Sequence, residues 1–177
     1  MKVSVFIAAS MDGYIAREDG GIDWLENPNA DPDQDYGYQA FINGIDAILM
    51  GRNTFNVVMN LPDWSYGGIP LFVLTHHPST LPLAKLENVQ AIQGKPEEII
   101  PELEKRGFHH VYIDGGNTIS EFLSESLVDE LIITRIPILL GRGIPLFNRM
   151  EKETRLKLLS TIDFKDGLVQ NKYKVLK

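Results

Sequence analysis

Twice in this chain an apolar run of strand length breaks off at glycine and continues at once as a helix. The first instance is AILMGRNTFNVV, residues 47–58, and the second is HHVYIDGGNTISEFL, residues 109–123. Short apolar runs bounded in this way read as strands buried on both faces. A helix that leaves such a strand directly crosses back over the sheet, so the strand after it lies parallel to the first. The other segments repeat the alternation. Lys2–Ala9, IPLFVLT (69–75), NVQAI (88–92) and DELIITRIPIL (129–139) read as strands, as do Ala47–Met50 and 109–114. Arg52–Val58 reads as a helix, and Asp35–Asn43 as a short one ending near Gly44. Pro96–Arg106 has proline in its first turn and Gly107 just past its end, the usual helix asymmetry. TISE, 118–121, has the spacing of a capping box and opens the last helix. Segments 155–164 and 167–175 read as two strands joined near KDG. The pattern predicts one α/β domain over 1–177, with a mostly parallel central sheet and helices on its faces. Antiparallel strands close one edge. Residues 10–33 form a long Gly- and Asp-rich loop, and loops of that length often carry function.

A chain of 177 residues can bury a substantial core. Its net charge of -7 argues against bulk attraction to nucleic acid or an anionic membrane. With no cysteine, disulfides and thiolate zinc sites are excluded. The N-terminal MKVSVFIAAS is too short an apolar run for a signal peptide, and no segment reaches the ~18 apolar residues of a membrane span. A cytoplasmic protein is expected. His76 and His77 are adjacent and cannot face one metal from a strand, and His109 and His110 sit at the entry of a strand, away from its carboxyl end, and read as structural, so no metal site is expected.

Open sheets of this kind bind ligands beyond the carboxyl ends of their strands. Three segments fall there. In ILMGRNT, Gly51 lets the backbone approach a ligand, and Arg52 adds a donor fork suited to phosphate. A solvated arginine beside an N-cap at Asn53 is the alternative. In YIDGGNT, paired glycines before a helix permit close packing of a pyrophosphate, or simply make a tight turn. In VLTHHPST a strand ends at Thr75 with His76 next, placed to hydrogen-bond a phosphate or to form a polar turn. Neither the G-x-G-x-x-G nor the Walker fingerprint is present.

In order, IAASMDGYIA (7–16), DW (23–24), DAILMGRNTF (46–55), LFVLTHHPST (71–80), YIDGGNTISEFL (112–123), DELIITRIPILLGRGIPLF (129–147) and the closing hairpin resemble the dihydrofolate reductase superfamily. The resemblance is strongest to the C-terminal reductase domain of bifunctional riboflavin-biosynthesis deaminase/reductases and its stand-alone relatives. It implies the three-layer dihydrofolate reductase-like fold and NADPH as cofactor. It places Gly51, Arg52, Asn53 and Thr54 at a helix N-terminus facing NADPH, with Arg52 near the phosphate on the adenosine ribose. Thr75 and His76 meet that phosphate as well. Gly115, Gly116, Asn117 and Thr118 cradle the pyrophosphate, the Ala8 backbone holds the nicotinamide carboxamide, and Ile15 packs on the ring.

On the substrate side the resemblance implies Trp24 in a mobile loop and Thr134 in the pocket wall. Dihydrofolate reductase has one acid on its first helix. Asp35 is the candidate here, with Asp31 and Asp33 close by and a helix-cap role open to each. Tyr36, Tyr38 and Phe41 replace the residues that grip a folate tail, so folate is not the expected substrate. The reading is an NADPH-dependent reductase of a pterin- or ribityl-pyrimidine-like acceptor. The alternative is a nucleotide-binding protein without turnover. The resemblance also implies a homodimer, with Ile144, Leu146 and Phe147 expected at the surface.

Overall fold

The computed structural model describes residues 1–26, 34–62, 64, 66–81, 87–148, 150 and 152–177. Asp31 and Asp33 lie outside them. The strands are β1 (Lys2–Ser10), β2 (Tyr14–Ala16), β3 (Ala47–Gly51), β4 (Leu71–Leu74), β5 (Val89–Ile92), β6 (His110–Asp114), β7 (Glu130–Ile136), β8 (Ile144–Pro145), β9 (Arg155–Asp163) and β10 (Val169–Leu176). The helices are α1 (Tyr38–Ile42), α2 (Arg52–Val58), α3 (Pro96–Lys105) and α4 (Gly116–Ser124). Eight strands form one sheet in the order β5-β4-β3-β6-β1-β7-β10-β9. From β5 to β7 all neighbours are parallel, while β10 pairs antiparallel with β7 and with β9. This is the expected dihydrofolate reductase-like arrangement, closing hairpin included.

Strand alternation divides the core. Val3, Val5, Ile7 and Ala9 of β1 point to one face, where Ile99 and Leu103 of α3 and Ile119, Phe122 and Leu123 of α4 cover them. Ile48 and Met50 of β3 point to the other face, under Ile42 of α1 and Phe55 and Val58 of α2. Burying one such large side chain contributes roughly 1.5–3 kcal/mol before the entropy cost.

Several boundaries differ from the sequence reading. Helix α4 starts at Gly116, two residues before the supposed capping box, because Gly115 at φ 93° turns the chain straight from strand into helix. Thr118 is therefore a buried residue of the first turn and not a cap. Helix α1 starts only at Tyr38, since Tyr36 (φ 55°) and Gly37 (φ 81°) are both left-handed. Strand β7 stops at Ile136, before Pro137. Part of the long loop is ordered as a ribbon: β2 pairs with β8, and Asp12 accepts the N–H groups of Leu140 and Gly141 at 3.1 and 2.7 Å. Leu146, expected at the surface, is 1% exposed and belongs to the core, because its N–H is drawn in to Gly13 O at 2.9 Å. Ile144 and Phe147 are exposed, as expected. The larger apolar surface is on the edge strand β9, where Leu156, Leu158, Leu159 and Ile162 are all exposed.

Candidate active site

A cleft of about 840 Å³ opens at the carboxyl ends of β1, β3, β4 and β6. That volume lies near the top of the ~300–1,000 Å³ range of ligand sites. The twelve residues expected on the cofactor side all line it.

Two β–α junctions meet in its wall. Strands β3 and β6 are neighbours in register, Met50 beside Asp114, so Gly51 and Gly115 end adjacent strands. Each glycine faces a threonine of the other junction. A Cβ on Gly51 would lie 3.0 Å from Thr118 Oγ1, and a Cβ on Gly115 would collide with Thr54 Oγ1. A Cβ on Gly116 would come within 2.5 Å of Pro145 O, where the β2–β8 ribbon crosses. Only glycines allow the starts of α2 and α4 to lie this close. The first-turn N–H groups of α4, at Gly116, Asn117 and Thr118, have no acceptor inside the helix and give that end of the wall a partial positive charge.

Arg52 projects from the first position of α2. Its Nε donates to Asn56 Oδ1 at 3.0 Å, Nη1 to Thr80 Oγ1 at 3.1 Å and Nη2 to Thr80 O at 2.9 Å. Among the described residues it has no carboxylate partner. The guanidinium is thus oriented but electrically uncompensated, the condition in which an anion binds best. At the end of β4, Thr75 Oγ1 accepts the His77 N–H at 3.1 Å, and Gln93 donates to His76 O at 3.2 Å, which fixes the turn carrying His76.

The opposite wall arises where β1 and β6 part. Their pairing ends at Ser4 beside Tyr112, whereas β1 stays paired with β7 as far as Ser10. The freed edge of β1 faces the cleft. Phe6 O points there and accepts the Tyr112 hydroxyl at 2.9 Å. Ala8 is two residues further, so its N–H and C=O face the same opening. Ile15 also lines the cleft.

Between these walls lies a group that the sequence reading passed over. Asp114, the last residue of β6, is in the cleft lining and half-buried. Its Oδ1 accepts the Gly115 N–H at 2.8 Å, and its Oδ2 faces the Tyr66 hydroxyl at 3.4 Å. Burial pushes the carboxyl above its ordinary range, against the opposing pull of the Gly115 N–H and the Tyr66 and Tyr112 hydroxyls. Burial and the nearby Asp114 push Tyr66 upward too, and Tyr38 to about 12. Phe6, Tyr66 and Tyr112 give this part of the lining an aromatic surface. A legible signal existed: one acid ends an otherwise apolar strand immediately before the glycine pair.

The three residues expected on the substrate side are placed differently. Asp35 is exposed, and its two oxygens accept the N–H groups of Gly37 and Gln39 at 2.9 and 2.8 Å. Those bonds hold its carboxyl below the usual range, and it does not line the cleft. It caps α1, and this placement gives no support to a role at a reaction centre. Trp24 is buried with Ile136 and Leu168 beside Ala8. Thr134 lies next to Ala8 in register, and its hydroxyl accepts Gln170 Nε2 at 3.0 Å inside the protein. Both stand behind the cleft wall and do not line it. The histidines at 109 and 110 are structural: their N–H groups donate to Asp46 at 2.8 and 3.0 Å. Among the described residues no His, Asp and Glu group could hold a metal.

The family model of the RibD C-terminal domain matches residues 1–170. A solved structure from Shewanella sp. PV-4, named for an assumed role in riboflavin biosynthesis, is 40% identical with a TM-score of 0.93, and each chain is covered in full. The Thermotoga maritima diaminohydroxyphosphoribosylaminopyrimidine deaminase/5-amino-6-(5-phosphoribosylamino)uracil reductase aligns at 17% identity and TM-score 0.72, over 99% of this chain and 56% of that one. Dihydrofolate reductase of Enterococcus faecalis, solved with NADP(H), aligns at 20% identity and TM-score 0.64, over 98% and 94%. These last two likenesses establish the fold.

Proposed function

We propose that this chain, which belongs to the RibD C-terminal domain family, is an NADPH-dependent reductase of a small heterocyclic acceptor of the pterin or ribityl-pyrimidine class. The observation that carries the proposal is the interlock of Gly51 with Thr118 and of Gly115 with Thr54, in the same cleft as an arginine that has no carboxylate partner among the described residues. That combination fits a long dinucleotide with a pyrophosphate and a further phosphate on one ribose. Arg52 and the His76 turn would take the phosphate on the adenosine ribose, and the α4 N-terminus the pyrophosphate. The open edge at Ala8 supplies a donor and an acceptor for the carboxamide, with Ile15 on the ring. When bound, NADPH supplies the hydride. The protein's own part is positional: Phe6, Tyr66 and Tyr112 give a flat acceptor an aromatic surface, and Asp114 with Tyr66 offers it hydrogen bonds.

Titration with NADPH and NADH tests the binding half, with tighter binding of NADPH expected. Loss of absorbance at 340 nm with pterin and ribityl-pyrimidine acceptors tests turnover. Absence of NADPH binding would refute the reading, and binding without turnover of either acceptor class would leave a nucleotide-binding protein. The reading includes a homodimer, for which the exposed leucines of β9 are the best-suited surface. Light scattering at one chain mass, 19.9 kDa, would reject it.

A further inference from the structure

At the start of α4 the direction of one hydrogen bond decides which end of a side chain meets the cleft. Resting on the NADPH-reductase reading, we propose that Asn148 is a positioning residue for the cofactor: it turns the Asn117 carboxamide so that its NH2 group, and not its oxygen, faces the bound pyrophosphate.

Asn117 lines the cleft and Asn148 does not. The segment that leads to Asn148 runs along the first turn of α4, where a Cβ on Gly116 would lie 2.5 Å from Pro145 O and 3.2 Å from Leu146 O. Two bonds then tie Asn148 to the helix. Its N–H donates to Ser120 Oγ at 2.9 Å, and its Nδ2 donates to Asn117 Oδ1. Residues 117 and 120 are three apart in α4 and share one face of it. Ser120 is buried, so the first bond anchors the Asn148 backbone on the body of the protein and the second reaches Asn117 from a held position.

The second bond sets a polarity. The two ends of a carboxamide are nearly the same size, but the oxygen accepts and the NH2 group donates. Asn117 is exposed, so packing does not choose between them; the Asn148 donor does. With Oδ1 engaged, Nδ2 is the end left for the cleft, and it has no partner among the described residues. The Gly116, Asn117 and Thr118 N–H groups at the same helix end also lack acceptors inside the helix. A phosphate oxygen accepts only. A free Nδ2 therefore adds a donor to that set, whereas a free Oδ1 would meet the phosphate with like sign.

The test is calorimetric titration with NADPH of the full chain as wild type, Asn148→Asp, Asn117→Ala and the double variant. An aspartate at 148 can accept but not donate. Asn117 would then turn and give Nδ2 to it, leaving Oδ1 toward the pyrophosphate. The link between the two side chains survives, so the melting temperature should stay close to that of wild type. NADPH affinity should fall by roughly tenfold or more, the size of one hydrogen bond to a charged group. With Asn117→Ala in place, the same change should cost less than about threefold, because no amide remains to turn. Equal losses in both backgrounds would be the effect of the added charge alone and would overturn the proposal, as would unchanged affinity in Asn148→Asp. Should Asn148→Asp melt well below wild type, Asn148→Leu takes its place: it neither donates nor accepts, and it should weaken NADPH only while Asn117 is present. No loss, or the same loss without Asn117, overturns the proposal. The wild-type titration keeps the readings apart. No NADPH binding there refutes the reductase reading and this inference with it, whereas NADPH binding indifferent to position 148 refutes this inference alone.

Discussion

Gly115→Ala is the substitution that most directly probes how the cleft is made. Two costs arise at that position. An L-residue at φ 93° lies outside its favoured regions, at about 1–2 kcal/mol. The new methyl also collides with Thr54 Oγ1, and such overpacking typically costs about 1–3 kcal/mol. The sum is roughly 2–5 kcal/mol. At about 2–4 °C per kcal/mol for a chain of this size, the midpoint should fall by roughly 4–20 °C. The two costs can be separated. Thr54→Ala removes Oγ1 and Cγ2, leaving a Cβ that would stand 3.3 Å from the added methyl. The double variant should regain the collision share, roughly 1–3 kcal/mol, and retain the backbone share. Differential scanning calorimetry of wild type, both single variants and the double variant gives the cycle. If the double variant melts no higher than Gly115→Ala, the reciprocal packing of the two junctions is not what requires glycine there.

Arg52→Ala should weaken NADPH binding by about 1.5–3 kcal/mol, the range for hydrogen bonds to charged groups, and leave NADH nearly unchanged; equal losses would mean that Arg52 does not read the extra phosphate. The raised pKa of half-buried Asp114 means that the folded state holds this proton more tightly than the unfolded chain, so its contribution to stability declines as pH rises above the unfolded value near 3.9. Asp114→Asn should therefore gain in melting temperature relative to wild type as pH climbs from about 4, and parallel curves would contradict a burial-raised carboxyl. Asp35→Ala should lower the melting temperature slightly through the lost bonds to the Gly37 and Gln39 N–H groups at the start of α1, with turnover unchanged; a loss of turnover beyond tenfold would return Asp35 to the reaction centre.

The two glycine-bearing junctions of the cleft wall were legible because a β–α junction suited to phosphate depends on local chemistry: a strand end, a glycine and a helix start in consecutive positions. Gly51 through Thr54 and Gly115 through Thr118 could be read in that way, and both stretches line the cleft. The part of the cleft around Asp114 depends on contacts between distant segments. Asp114 meets the Tyr66 hydroxyl, 48 residues earlier in the chain, only in the folded protein. Asp35 looked equivalent as a carboxylate, but its reach is taken by N–H groups two and four residues ahead.

The linear pattern of apolar strands and amphipathic helices determined the class of fold, the parallel sheet and its antiparallel close, since hydrophobic period and glycine placement act over neighbouring residues. Which carboxylate lies in the cleft, which threonine meets which glycine, and that β1 opens away from β6 beyond Ser4 were decided only by the folded chain. These properties arise from burial and from contacts between remote segments, and a residue acquires them only when the sheet brings those segments together.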